Sequence, residues 1–315
     1  KYRDFINFPK KTIHLQATTK ERTIQSLKNF KAGLKKSSKE TLLKIKTIEA
    51  LEKNDELRFF DDCKNFINYK NSSPERFKTK KIKQKKSSLK IRDNIIKQIT
   101  LTPPHKLTID PWSLLENLYK LCQQNYNINK TLKLSNLCSL YNEKSMKLFE
   151  KISDIKKFHL LGPFKRRIEK PFNEVHSSQS CLLLKSFIKK IDGFLTQKDN
   201  SSISIRFAHT ETITPLITLM NFEGIPKNLN SWQIRKISPM ASNLHWVLTK
   251  ESEKKEKTYL MDFFLNGKKR RLNGLTCLQN KCSWKQTKDH FMRILNEKGL
   301  GKCQKKDWNR LCGNR

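Results

Sequence analysis

Three side chains in this sequence have the chemistry to handle a phosphoryl group together: Arg22, His209 and Glu211. A guanidinium presents forked, permanently charged donors to phosphate oxygens. An imidazole can donate to a further oxygen, and a carboxylic acid can protonate a departing alkoxide. His209 and Glu211 lie in ISIRFAHTETITPL, residues 203–216. Ile203, Ile205 and Phe207 alternate with Ser204 and Arg206, which is strand periodicity, whereas Ile213, Leu216, Ile217 and Met220 fall at helical spacing. The two titratable groups therefore stand at a strand-to-helix joint.

Arg22 stands at a similar joint. Residues 12–19 (TIHLQATT) read as a strand, and Thr18-x-x-Glu21 as a capping box. Ile24, Leu27, Phe30 and Leu34 form the stripe of the helix that follows, expected to end near Gly33. Arg22 then falls in the first turn, where free backbone N–H groups attract anions. Active sites of open α/β sheets gather at the carboxyl ends of strands. Arg22 and His209 are thus expected to face one crevice, with Glu211 at its rim.

Around these joints the pattern is mostly helical. Residues 39–69 read as helix and include LRFFDDC (57–63). The lysine-rich segment 70–97 shows no clear period and is expected to include a loop. Asp110-Pro111 is a helix start, followed by the stripe Leu114, Leu115, Leu118, Leu121 and Cys122. Helical patterns continue to about residue 195, interrupted at LLGPF. Strands return at 203–208, LHWVLT (244–249) and TYLMDFFL (258–265), the last followed by the hairpin signal Asn266-Gly267. The expected fold is α/β: a mixed, mostly parallel sheet flanked by helices, carrying a largely α-helical insertion. Residues 1–48 and 186–315 are assigned to the α/β domain and 49–185 to the insert.

The 315 residues carry a formal charge of +37 with only 36% apolar residues. No apolar run approaches the roughly 18 residues of a membrane span. A charge of this sign fits nucleic acid or a polyanionic small substrate, but lysine, asparagine and isoleucine are all abundant, as a compositional bias would give. The densest run, KTKKIKQKKSSLK (78–90), has no aromatic interleaved and reads as a solvated face. No helix-turn-helix, zinc-finger or aromatic RNA-binding signature accompanies it, so a nucleic-acid partner is not expected. The eight cysteines, Cys63, Cys122, Cys138, Cys181, Cys277, Cys282, Cys303 and Cys312, have neither zinc-knuckle nor CxxC spacing. They point to disulfides and an oxidising compartment. Sequons at Asn71, Asn129 and Asn200 fit that compartment as glycosylation sites.

RFAHTETITPLITLM resembles the C-terminal signature of the histidine acid phosphatases, in which a strand ends in a histidine followed by an acidic residue. His209-Thr210-Glu211 is similar to the form in the multiple inositol polyphosphate phosphatase branch, whereas many other phytases and acid phosphatases have His-Asp. ATTKERTIQSLKNFKAGL (17–34), LRFFDDC (57–63), the cysteine-containing helix start at 181–184 and ISPMASNLHWVLTK (237–250) resemble the same branch, in order along the chain. The resemblance implies hydrolysis of inositol polyphosphates such as phytate, with 2,3-bisphosphoglycerate or general phosphomonoesters as a broader range. It implies a phosphohistidine intermediate formed by a histidine in an Arg-His-Gly-x-Arg-x-Pro motif. Arg22 and His209 would hold phosphoryl oxygens, Glu211 would protonate the leaving alcohol, and no metal or other cofactor is needed.

The seven histidines are His14, His105, His159, His176, His209, His245 and His290, and none stands between an Arg and a Gly. The nucleophile motif, which the family keeps on the first strand of its sheet, is therefore expected upstream of Lys1, and the chain alone is expected to be inactive. A non-catalytic phosphate-binding homologue and a general acid phosphatase are the alternative readings. The resemblance also implies the secretory pathway, either the endoplasmic reticulum lumen or the exterior, with membrane association as an option but no transmembrane segment. By the same likeness the cysteines pair as Cys63–Cys181, Cys122–Cys138, Cys277–Cys282 and Cys303–Cys312.

Overall fold

A computed structural model describes residues 12–37, 44–49, 54–72, 75–100, 103–123, 137–163, 175–199, 201–251, 258–277 and 281–313. The sequons at Asn129 and Asn200 lie outside the described residues. Asn71 is exposed at the end of a helix.

In chain order the principal elements are β1 (Thr12–Ala17), α1 (Glu21–Ser37), β2 (Lys44–Glu49), α2 (Phe59–Asp62), α3 (Lys64–Asn71), α4 (Arg76–Lys83), α5 (Lys86–Ile99), α6 (Pro111–Gln123), α7 (Glu143–Leu161), α8 (Cys181–Leu195), β3 (Ser201–Phe207), α9 (Thr210–Leu219), β4 (Leu244–Glu251), β5 (Thr258–Leu265), β6 (Lys268–Arg270), α10 (Trp284–Glu297) and α11 (Lys305–Cys312). The chain divides into two compact units. One comprises residues 1–72, 161–231 and 235–315; the other comprises 73–160 with 232–234. The second unit spans less of the chain than the expected insert, 49–185. Helices α2, α3 and α8 belong to the first unit, where α2 packs on α9, α3 on α11, and α8 on both.

The first unit is built on a parallel sheet of order β2-β1-β3. β1, α1 and β2 make a strand–helix–strand unit, since parallel neighbours need a crossover between them. β1 is central, and its alternation buries Ile13, Leu15 and Ala17 against Leu27 of α1, with Ile24, Leu34, Ile203, Ile205 and Phe207 packed around them. The strand β2 corrects the helical expectation for its part of residues 39–69. KIKTIE alternates, and its place at the end of the described sheet allows Lys46 to remain in water. α1 runs past Gly33 to Ser37, so that glycine does not end the helix. A second, antiparallel sheet has order β4-β5-β6. Its β5–β6 hairpin turns at Asn266 and Gly267, with φ of 52° and 76°, the left-handed pair that an Asn-Gly turn supplies.

In the second unit, Ile95, Ile96, Trp112, Leu115, Tyr119, Cys122, Phe149 and Ile152 form the core. The described part of the lysine-rich segment is mostly helical, with a break at residues 84–85 between α4 and α5. In α4 and α5 the inward positions fall to Thr79, Ile82, Ser88, Leu89, Ile95 and Ile96, while the lysines take the solvated sides. Lys83 turns inward instead and pairs with Glu116 at 2.7 Å, which Lys156 also contacts.

Four disulfides close the described cysteines: Cys63–Cys312, Cys122–Cys138, Cys181–Cys303 and Cys277–Cys282. Two of these correct the expected pairing of Cys63 with Cys181 and Cys303 with Cys312. α11 lies between Cys303 and Cys312, and its eight residues rise about 12 Å. That separates the two α-carbons beyond the roughly 4.4–6.8 Å a disulfide tolerates. Instead the C-terminal helix is clamped at both ends, by Cys312 to the start of α3 and through Cys303 to the start of α8. Asn65 Nδ2 donates to the Leu311 carbonyl at 2.8 Å and Trp308 Nε1 to the Gln179 carbonyl at 2.9 Å on the same faces. Among the described residues no helix is long and apolar enough to cross a membrane.

Candidate active site

The site sits at the carboxyl ends of β1 and β3. These strands pair in parallel with Ala17 opposite Phe207, so the residues that follow each strand emerge side by side. Thr18 N–H donates to the Phe207 carbonyl at 3.3 Å and continues the pairing one step further. His209 caps α9, its backbone N–H reaching Thr212 Oγ1 at 3.4 Å. The Thr212 hydroxyl in turn donates to the Leu57 carbonyl at 2.8 Å. That bond ties the segment before α2 to the helix that His209 begins.

The segment before α2 delivers Arg58. Asn54 Oδ1 accepts from the N–H groups of Glu56 and Leu57, each at 3.0 Å, and the Asn54 carbonyl accepts from Arg58 N–H at 2.7 Å. This local turn brings the chain round, and Glu56 anchors it further through Arg206 at 3.4 Å. Arg58 is only 8% exposed, an unusual state for a guanidinium. It is matched by an ion pair with Asp61 and by the face of Phe60, 5.2 Å from the guanidinium carbon.

These elements converge on the imidazole of His209, itself buried. Arg22 Nε lies 3.2 Å and Arg22 Nη2 3.0 Å from its Nδ1. Arg58 Nη1 lies 3.1 Å and Thr18 Oγ1 3.0 Å from its Nε2. Phe60 stands edge-on to the ring, centroids 6.2 Å apart. Glu211, half-buried in the first turn of α9, acts on the same ring through its negative charge. Burial, then the charges of Arg22 and Arg58, push the His209 pKa down to about 4 against the weaker opposing pull of Glu211 and Asp61. At neutral pH the imidazole is uncharged between two guanidinium groups.

The structure therefore brings Arg22 and His209 into direct contact, with Glu211 beside them. Two participants were not singled out from the sequence. Arg58 was visible only inside LRFFDDC, where a cation flanked by Leu57 and Phe59 is the signal that a guanidinium enters a crevice. Thr18 read as a helix cap. The helix instead begins at Glu21, and the fully buried Thr18 side chain turns to His209. Among the described residues, no group of three or more His, Cys, Asp or Glu is placed to hold a metal ion.

The sequence and the fold are similar to those of known proteins. Multiple inositol polyphosphate phosphatase 1 of Gallus gallus is 25% identical over 278 residues, 82% of this chain and 58% of the relative. The Homo sapiens protein of the same name is 29% identical over 220 residues, 62% of this chain and 41% of the relative. The chain thus spans about half the length of these curated relatives. The crystal structure of Bifidobacterium longum multiple inositol polyphosphate phosphatase in complex with phosphate shares the fold at a TM-score of 0.64 and 14% identity, over 85% of this chain and 70% of that one. Its complex with inositol hexasulfate gives a TM-score of 0.61. The family model described as histidine phosphatase superfamily (branch 2) matches residues 1–265. The chain therefore belongs to branch 2 of the histidine phosphatase superfamily, the family that its residues from Ala17 to Lys250 resemble.

Proposed function

We propose that Arg22, Arg58, His209 and Glu211 are the phosphate-holding and leaving-group part of a phosphomonoesterase site for inositol polyphosphates, phytate among them, with 2,3-bisphosphoglycerate as a smaller substrate of the same charge type. The observation that carries this reading is the convergence of two guanidinium groups on both ring nitrogens of one uncharged histidine at 3.0–3.2 Å. Such preorganised donors stabilise charge that develops on phosphoryl oxygens. The start of α9 adds its N–H groups beside them. Glu211 is the proton donor to the departing alcohol. The names of the relatives and the inositol hexasulfate bound to the Bifidobacterium longum enzyme support this substrate class.

Hydrolysis through a phosphohistidine needs a nucleophilic histidine, and no histidine of residues 1–315 has an Arg before it and a Gly after it. The chain as given binds phosphate esters without turning them over. Four disulfides support a lumenal or secreted setting, with Asn71 available as a glycan acceptor. Calorimetric titration of residues 1–315 with inositol hexakisphosphate, alongside an assay for released phosphate, tests this. Salt-sensitive binding with no phosphate release is the expected result. Absence of binding overturns the site assignment, and sustained turnover overturns the need for a nucleophilic histidine of the Arg-His-Gly type.

A further inference from the structure

The His209 ring sits at one end of a chain of side-chain hydroxyls whose far end is a backbone carbonyl. Thr18 Oγ1 is 3.0 Å from His209 Nε2 and 2.7 Å from Thr23 Oγ1. Thr23 Oγ1 is 2.7 Å from the Lys20 carbonyl and 3.1 Å from the Thr18 carbonyl. Thr18 is wholly buried and Thr23 nearly so, so water does not compete for these bonds.

A carbonyl oxygen only accepts, so the single Thr23 hydroxyl proton must point to it. Thr23 Oγ1 then has only a lone pair to offer Thr18, and the Thr18 proton must point to Thr23. Thr18 Oγ1 in turn has only lone pairs left. One takes the Lys20 N–H at 3.4 Å, and the other faces His209 Nε2. The ring nitrogen at that end must carry the proton. The opposite side of the ring favours the same tautomer, because Arg22 offers only donors to Nδ1, at 3.0 and 3.2 Å, and a bare Nδ1 accepts them.

We infer that Thr18 and Thr23 are positioning residues that fix His209 in the Nε2-protonated tautomer. A consequence follows at Arg58. Its Nη1 lies 3.1 Å from a nitrogen that already bears a proton, so two donors face each other and no hydrogen bond joins them. Asp61 and Phe60, not His209, hold the guanidinium there. Two donors aimed at one region of space are satisfied together by an acceptor-only group, which is what a phosphoryl oxygen is. The hydroxyl chain thereby sets the side of the imidazole from which the proton is offered. This consequence rests on the phosphate-site reading above; the tautomer itself does not.

The test is a long-range proton–nitrogen correlation spectrum of residues 1–315 labelled with 15N-histidine, at neutral pH in phosphate-free buffer, with His209→Gln to assign the signal. A pyrrole-like Nε2 and a pyridine-like Nδ1 at His209 are expected. Thr18→Val removes the only acceptor facing Nε2 among the described residues and leaves Arg22 and Arg58 as competing donors at the two ring nitrogens, so a mixture of tautomers should appear, whereas Thr18→Ser should restore the wild-type pattern. Thr23→Val, which keeps Thr18 but frees its proton to turn toward the ring, should give an intermediate mixture. Inorganic phosphate should bind about tenfold more weakly to Thr18→Val than to Thr18→Ser, on the order of one lost hydrogen bond. A pyridine-like Nε2 in the wild type, or a Thr18→Val protein with unchanged tautomer and intact signals from the other histidines, overturns the inference. If phosphate binds none of the proteins, the site assignment fails, yet the nitrogen shifts still decide the role of Thr18.

Discussion

Arg22 Nη2 lies 3.0 Å from Nδ1 of His209, across 187 residues of sequence. The contact joins a side chain on the first turn of α1 to the residue that caps α9, and the parallel pairing of β1 with β3 makes it possible. Arg22 is an exposed residue whose guanidinium is held by an uncharged ring, and it is well placed to exchange that acceptor for a charged one.

Arg22→Ala should therefore weaken inorganic phosphate binding by about tenfold to a hundredfold, the worth of a charge-assisted hydrogen bond of roughly 1.5–3 kcal/mol. Arg22→Lys should recover only part of the loss, because an ammonium cannot make the forked contact. Calorimetry at fixed ionic strength measures both. Equal affinity of Arg22→Lys and the wild type would argue that charge alone matters.

Arg58 acts on the same ring through its charge. Burial, Arg22 and Arg58, in that order, hold His209 at about pKa 4. Arg58→Ala removes one of the two cations, so the pKa should rise toward the ordinary 6.5. Asp61→Asn removes an opposing carboxylate and should move it the other way. An NMR pH titration of His209 in each variant reads the sign directly, and a downward shift in Arg58→Ala would contradict the geometry.

The C-terminal clamp should matter to the site as well as to stability. Cys63 directly follows α2, which presents Phe60 and Asp61, and it is bridged to Cys312 across a separation of 249 residues. Replacing both cysteines by serine should cost roughly 2–5 kcal/mol, lowering the Tm by about 5–15 °C. It should also weaken phosphate binding, because α2 loses its covalent anchor. Serines at Cys122 and Cys138, in the helical unit, should lower stability while leaving phosphate affinity unchanged. Thermal scans and phosphate titrations of the two double variants separate these outcomes.

Stability should also depend on pH in a definite window. His209 and His159 are each depressed to about 4 from 6.5, in both cases chiefly by burial. Between these values the unfolded chain binds protons that the folded chain refuses, so stability rises with pH. The contribution is complete above about pH 6.5 and is lost as pH falls to 4. Asp199, held at about 2 by bonds to Lys190 and Ser201 that outweigh its burial, loses its contribution only at lower pH, between 3.8 and 2. Denaturant midpoints at pH 7, 5.5 and 4.5 in phosphate-free buffer should fall in that order. The slope should flatten in His209→Asn, and a flat wild-type profile would contradict a neutral buried ring.

The sequence by itself determined the pieces that depend on neighbours in the chain. Alternation in 203–207 and 258–265, the cap before Pro111, and Asn266-Gly267 are local signals, and the corresponding elements form where those signals stand. The ordered likeness from Ala17 to Lys250 was enough to expect the family. What only the tertiary structure decided are relations between distant residues. β2 is a strand because β1 offers it a partner, although its lysines read equally well on a helix. Cys312 bonds Cys63 because the rigid rise of α11 takes it away from Cys303. Thr18 serves His209 and not its own helix because two strands end side by side. Arg58, one residue within a hydrophobic run, becomes a buried cation at the site because Asn54, Thr212 and Asp61 together fix where its segment turns. Spacing along a chain records helices, strands and turns; which side chains share a charge or a proton depends on how those elements are laid against one another.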